Sequence, residues 1–444
     1  MTAARPSLLV PALVLESALI GLAVLAPLRN RVVETIAVLI GSSAVYLIST
    51  ALILKDSQCE GRRSRQLAVI FGFALLFRLT AWSIEPSFSD DLNRYRWEAR
   101  VSIAGGNPYE ATPGSAAWAA LRDETYSRIP GRDFRAVYGP FTETAYRSAL
   151  QVIAAAGITS AVQQVFWLKA ATALFELGVL AGLYFLLRAA GAPSERILVY
   201  AWCPLPIFEF WVNGHNDTLL LCPLVWALWA GVKERWTLAF ALLAVAIAAK
   251  IWPLALVPLF LGWSRRGPPR LKQSLILLPV VGLFLAPYGT GLIRNAPFLS
   301  GFLGGWRNND SFYGVLLWLW GGQYMAKYSA FAILAAAAAW VTLRKWSLTR
   351  GSLAVIVTML LVSANCHPWY LSWMVILLPL HPSLGLLMWE ALAPLAYQSL
   401  PAWEILGEWN GSAPGRWLVY GPVFAVLIWE AAARRRAAQK PAPA

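Results

Sequence analysis

Apolar residues in this chain come in long runs, not in alternating or one-sided helical stripes. The clearest runs are 8–28, 33–54, 67–83, 163–187, 236–263 and 417–430. Most of them approach the roughly 20 residues that a helix needs to cross a bilayer core. Counting the shorter runs between them, several broken by proline, the pattern predicts about 11 to 13 crossings or half-crossings. The expected fold is an all-α polytopic membrane protein. No stretch reads as a separate soluble domain, so 1–433 is expected to form one membrane domain and 434–444 a basic tail. The first run follows Met1-Thr-Ala-Ala-Arg5, the layout of a secretory signal. Its length and the second span directly after it favour a retained helix.

Composition agrees: 58% of residues are hydrophobic and 14% charged, against roughly 45–50% and 25% in soluble domains. The net charge of +14 is explained by basic cytoplasmic loops, and nucleic acid is not expected as a partner. Cys59, Cys203, Cys222 and Cys366 are scattered without a CxxC pair. Their spacing makes neither a disulfide framework nor a zinc site.

Charge also assigns sides. Short loops rich in Lys and Arg lie at 55–65, 233–235, 265–272 and 344–350, and the tail at 434–440 is basic too; such segments face the cytoplasm. Alternation then places 84–160, 212–217, 289–311, 364–369 and 400–416 outside. Arg29 and Arg31 fall outside under this scheme and count against it. Every unusual polar cluster nevertheless lands on the outer face: Ser-Asp-Asp-Leu-Asn-Arg-Tyr at 89–95, Asn-Gly-His-Asn-Asp at 213–217, Arg-Asn-Asn-Asp at 307–310 and Asn-Cys-His-Pro-Trp-Tyr at 365–370. Polar groups at membrane depth are costly unless they serve a site or cavity. Four clusters on one side predict one outer site.

Locally, Ser89 suits a helix N-cap and two acids follow it, Asp90 and Asp91. Asp91, Arg94, Tyr95 and Glu98 share one helical face, and the helix should end before Gly105-Gly106-Asn107-Pro108. Capping of an interfacial helix carrying Trp97, Val101 and Ile103 explains these acids equally well. Gly139-Pro140 should turn into a second interfacial helix, in which an aromatic belt accounts for Tyr138 and Phe141. The 213–217 run reads alternatively as a helix-helix turn with Asn216 or Asp217 as N-cap. Glu176, Glu209 and Lys250 lie within apolar spans, which makes each a functional candidate, although Lys250 beside Trp252-Pro253 also fits snorkelling. A lone His367 before Pro368-Trp369-Tyr370 reads first as a packed boundary residue.

Together these residues carry a resemblance. Asp91-Leu-Asn-Arg94-Tyr95-Arg-Trp97-Glu98 followed by Asn107-Pro108-Tyr109 resembles the D-x-x-R-Y-x-W-D-G … G-x-N-P-Y segment of bacterial polyprenol-phosphate-mannose-dependent α-mannosyltransferases of the GT-C fold. Tyr138-Gly139-Pro140 is similar to that family's Y-P-P, and Gly214-His215-Asn216-Asp217 to its G-H-x-D. Lys250-Ile-Trp-Pro253, Asn309-Asp-Ser311-Phe-Tyr313 and Pro368-Trp369-Tyr370 follow in family order. Glu98-Ala99 stands for Asp-Gly, Gly139 for the first proline, and Trp252 where a smaller residue is usual.

The resemblance implies a GT-C-like bundle in the plasma (inner) membrane, with 84–160 as its outer, periplasmic catalytic loop. It implies transfer of a sugar, mannose by family alone, from polyprenyl phosphate to a hydroxyl of a lipid-linked or polysaccharide acceptor. No Gly-rich nucleotide fingerprint is present, which fits a lipid donor. An acid must take the acceptor proton as the oxygen attacks the anomeric carbon, and inversion puts the leaving phosphate on the opposite face. Asp91, three residues before Arg94-Tyr95, is the expected base and Asp90 its substitute. Arg94, Arg307, His367 and Lys250 are candidates to meet the phosphate, and His215 and Asp217 to hold sugar hydroxyls or the phosphate. Neither a cofactor nor a metal is expected. The rivals are a transporter or flippase of a lipid-linked sugar, against which the missing internal repeat counts, and a non-catalytic assembly factor.

Overall fold

The computed structural model describes residues 8–55, 60–262, 270–296, 307–406 and 413–438. Cys59 and parts of the loops at 55–65, 265–272, 289–311 and 400–416 lie outside the described residues, as does the end of the tail. The helices of nine residues or more are α1 (Leu9–Leu25), α2 (Val32–Lys55), α3 (Glu60–Trp82), α4 (Asp91–Ile103), α5 (Pro140–Ala155), α6 (Ala161–Ala189), α7 (Asp217–Val232), α8 (Trp236–Ala249), α9 (Leu277–Leu285), α10 (Phe312–Trp320), α11 (Gln323–Leu343), α12 (Leu348–Val362), α13 (Leu384–Leu392) and α14 (Ala413–Ala438). Among the described residues the only β-type pairing is an isolated bridge between Asn308 and Asn365.

The chain is an all-α polytopic membrane protein. Five helices are long and apolar enough to cross a bilayer, and a pair bent by 94° at 271–296 makes a sixth if it counts as one span. Shorter apolar helices, α1, α7, α8, α12 and the segment Trp252–Leu261, fill the bundle between them. α1 packs against α2 and α3 through Ala12, Leu15 and Leu22, all buried. α14 continues to Ala438, so the first residues of the expected tail extend the last helix.

The run 236–263 looks like one span in sequence and is broken in the structure. α8 stops at Ala249, Lys250 takes extended backbone (φ −148°, ψ 141°), and short helical turns resume at Trp252. Pro253 is the reason: it has no N–H to give the carbonyl of Ala249 four residues back. That freed carbonyl accepts instead from the Gly139 N–H at 3.1 Å and the Thr142 hydroxyl at 3.2 Å. The segment before α5 is thereby fastened to the broken end of α8. Polar backbone groups at membrane depth need such partners.

α4 is not an exposed interfacial helix. Leu92 to Ala99 are all buried, and the helix lies against α5 and α6. Trp97 and Val101 pack with Ala111 and Ile129, while Ile103 is exposed. α5 begins at Pro140 and buries Tyr146, Leu150 and Ile153 while exposing Val152. Phe141 packs edge-on against Phe175 and Phe284, so protein rather than lipid headgroups surrounds it.

Glu176, one of the intramembrane acids, forms a closed pair with Arg78. The guanidinium donates to both its oxygens, at 2.8 and 2.6 Å, and to the carbonyls of Ala74 and Ala201, and Trp211 Nε1 donates to Glu176 at 3.2 Å. Both side chains are fully buried. The pair joins α3 to α6 and leaves no room for chemistry. Replacing one partner strands a buried charge, at a cost of about 3–5 kcal/mol. Arg78→Met or Glu176→Leu alone should lower the unfolding temperature of the purified protein sharply in a thermal scan, and the double variant should recover most of the loss.

Candidate active site

Asp91 opens α4 and faces a cleft of about 1110 Å³ of empty space. Ser89 Oγ accepts its backbone N–H at 3.2 Å, and the Tyr95 hydroxyl, one turn on, donates to Oδ2 at 3.2 Å. Oδ1 has no partner among the described residues, and the side chain is 27% exposed. Burial pushes the carboxyl above its usual range, partly offset by His215, Tyr95 and Lys250. Its neighbour differs: Asp90 accepts from Arg29 at 2.8 Å and Arg128 at 3.1 Å. Two guanidiniums hold Asp90 as a structural anion, which disfavours it as the substitute base. Arg29 also donates to the Ser87 carbonyl at 3.0 Å. The first hairpin therefore sits at the same end of the bundle as the cleft, which accounts for an arginine there.

The 213–217 run forms the cleft wall. A single π-helical turn, Phe208–Val212, precedes it, and Gly214 adopts φ +72° where a Cβ would strike Leu92 on α4. Only glycine fits both demands, and the close approach brings His215 Nε2 to 4.0 Å from Asp91 Oδ2. His215 Nδ1 lies 2.8 Å from Glu209 Oε2. Trp369 stacks on both histidines of the site: its ring lies 3.9 Å from the His215 ring and 4.4 Å from that of His367. His367 shares a 2.7 Å hydrogen bond with Asn308. Burial, with His215 and Lys250 nearby, pushes its imidazole down to about 3. It is therefore neutral at physiological pH, a hydrogen-bonding wall residue and not the cation expected for a phosphate.

Asp217 and Lys250 meet at the end of the cleft. Asp217 Oδ1 accepts from Lys250 Nζ and from Trp373 Nε1, each at 2.6 Å. Lys250 Nζ lies over the rings of Tyr370 and Trp373, and the lysine lines the cleft. It pairs rather than snorkels. Three buried polar atoms of this wall have no hydrogen-bond partner among the described residues: His215 Nε2, Asn216 Nδ2 and Asp217 Oδ2. Where such groups face a cleft they are available to a ligand.

The arginines sort differently from expectation. All three guanidinium nitrogens of Arg94 are engaged, by Glu98 at 2.6 Å and by the carbonyls of Gly131 and Phe134 at 2.8 and 2.7 Å. Arg94 is a clamp that holds the 131–134 loop to α4. Glu143, crowded against Glu98, is pushed well above the ordinary carboxylate range by burial and by that neighbour. Arg307 pairs with Asp310 at 2.8 Å, as does Arg416 at 2.9 Å; neither arginine lines the cleft. The cation the sequence reading missed is Arg135, which lines the cleft and makes no hydrogen bond or ion pair among the described residues. Its place between the Arg94-held loop and Tyr138-Gly139-Pro140 was the available signal. Among the described residues no three His, Cys, Asp or Glu side chains converge as metal ligands.

The chain belongs to the alpha-(1->6)-mannopyranosyltransferase family, whose N-terminal domain it matches over residues 2–265, more than half of its length. The match spans Asp91, His215, Asp217 and Lys250 and stops before the 307–311 and 365–370 clusters. Membership makes the protein a mannosyltransferase and displaces the transporter and assembly-factor readings. No curated protein and no solved structure matches it.

Gly139 departs from the family's proline for a visible reason. Its N–H is bonded to the Ala249 carbonyl, and a Cβ there would overlap the carbonyl oxygens of Ala248 and Ala249. Gly139→Ala should push the α5 segment off the α8 terminus that carries Lys250. The expected outcome is a loss of transfer larger than the loss of thermal stability, measured on the same purified sample.

Proposed function

We propose that the protein transfers mannose from a polyprenyl-phosphate donor to a hydroxyl of a lipid-linked or polysaccharide acceptor at the outer face, with inversion and without a metal. What carries the reading is that one cleft holds both an acid with a free oxygen, Asp91, and two cations facing the same space, Lys250 and Arg135. Asp91 takes the proton of the acceptor hydroxyl as its oxygen bonds to the anomeric carbon. The bond from that carbon to the phosphate breaks, and the electron pair leaves with the phosphate, whose charge Lys250 and Arg135 meet. The orphaned atoms of Asn216 and Asp217 receive sugar hydroxyls.

The family's α-(1→6) linkage narrows the substrates. An α product formed with inversion requires a β-linked donor, and a 1→6 bond requires a primary hydroxyl on a mannose-terminated acceptor. The basic loops at 233–235 and 344–350 favour the cytoplasmic side, which leaves the cleft on the other face. A lipid donor reaches such a cleft from the bilayer.

The test is turnover by the purified full chain in lipid, with radiolabelled polyprenyl-phosphate mannose and an oligomannoside acceptor. Label should appear in an α-(1→6) product and persist with EDTA present. Asp91→Asn should lower kcat by about 10² to 10⁴ while the protein inserts and elutes normally. Because the Asp91 carboxyl is raised and must be ionised to act, activity should fall with decreasing pH through a value above the usual aspartate figure of about 3.9. Near-normal turnover by Asp91→Asn, or label that is only moved between leaflets, contradicts the reading.

A further inference from the structure

We infer that Glu209 is a positioning residue that fixes the tautomer of His215, making His215 Nε2 the acceptor to which Asp91 hands its proton. The inference rests on the proposed role of Asp91 as base. Glu209 is fully buried on the π-helical turn Phe208–Val212, a local distortion found mostly at functional sites. Its carboxylate is met on both oxygens. Oε1 accepts from the Tyr397 hydroxyl, and Oε2 accepts from Asn213 Nδ2 at 3.1 Å and meets His215 Nδ1 at 2.8 Å. Asn213 in turn accepts the Phe88 N–H at 3.2 Å, so the network is tied to the segment that leads into Asp91.

A carboxylate oxygen can only accept, so the 2.8 Å contact with Glu209 Oε2 places the proton on Nδ1. Neutral His215 then presents a lone pair at Nε2. That atom has no hydrogen-bond partner among the described residues and lies 4.0 Å from Asp91 Oδ2. Trp369, stacked on the ring at 3.9 Å, keeps the imidazole from turning. The proton balance closes in two steps. Asp91 removes the acceptor's proton while the new carbon–oxygen bond forms and the phosphate leaves. The proton then passes from Asp91 to Nε2, and the imidazolium is paired by the Glu209 carboxylate until it releases the proton to solvent. This is the orienting logic by which a buried acid holds a histidine in other hydrolytic and transfer sites.

The charged and titratable groups around His215 come from four elements: Asp91 on α4, Glu209 on the π turn, Lys250 at the α8 break and His367 in the 365–370 segment.

The chain has three histidines, His215, His367 and His381, so selective ¹⁵N-histidine NMR of the full-length protein in lipid resolves the tautomer without any substrate. The wild-type His215 signal, assigned by its loss in His215→Gln, should show a protonated Nδ1 and bare Nε2 when neutral. Glu209→Gln should abolish that preference. In the transfer assay Glu209→Gln should lower kcat roughly 10²-fold, leave both KM values near wild type and shift the pH profile, and Glu209→Asp should restore part of the rate. A protonated Nε2 in the wild-type protein, or an unchanged pH profile and kcat in Glu209→Gln, overturns the inference. If the wild type transfers no mannose, or Asp91→Asn remains active, the functional reading fails instead, while the tautomer measurement still stands on its own.

Discussion

The parts of this site are joined by the Lys250–Asp217 ion pair at 2.6 Å. Lys250 stands at the extended break left when Pro253 ends α8, and Asp217 is the first residue of α7. Trp373 donates to the same carboxylate oxygen, which brings the segment after His367 into the joint. On the opposite side of the break, Gly139 and Thr142 occupy the carbonyl that Pro253 released. One missing N–H thus gathers three distant stretches of chain around the cleft.

Arg78 with Glu176, Arg94 with Glu98, and Asp90 with Arg29 and Arg128 are ion pairs within the protein. They fix helix to helix and loop to helix. Around the cleft, Asp91 Oδ1, His215 Nε2, Asn216 Nδ2, Asp217 Oδ2 and the Arg135 guanidinium have no hydrogen-bond partner among the described residues. Leaving several polar groups open costs stability, and a ligand rich in hydroxyls and phosphate oxygens offsets that cost when it binds. A sugar phosphate has this character, and the family membership agrees.

Much of this was legible from sequence. Apolar runs of span length predict an all-α membrane bundle, and the ordered clusters at 89–95, 213–217 and 365–370 do meet at one cleft. What stayed hidden follows from distance along the chain. Spacing puts Arg94 and Glu98 on one helical face but says nothing of the Gly131 and Phe134 carbonyls that occupy the arginine. Arg29 counted against the alternation of sides because its partner, Asp90, lies 61 residues away. Lys250 reads as a snorkelling residue until the break at Pro253 is seen to aim it at Asp217. Glu209 reads as one more intramembrane acid because the π turn that aims it at His215 has no signature in residue pattern.

The most direct measurement is an electron cryomicroscopy structure of the full chain in lipid with a non-cleavable phosphonate analogue of polyprenyl-phosphate mannose. The expected density has the phosphonate within hydrogen-bonding distance of Lys250 and Arg135 and the sugar against His215 and Asn216. Asp91 should then face the anomeric carbon from the side opposite the phosphonate. Density that places the sugar outside this cleft, or the phosphonate on the Asp91 side of the ring, would contradict the assignment of Asp91 as the base for mannosyl transfer.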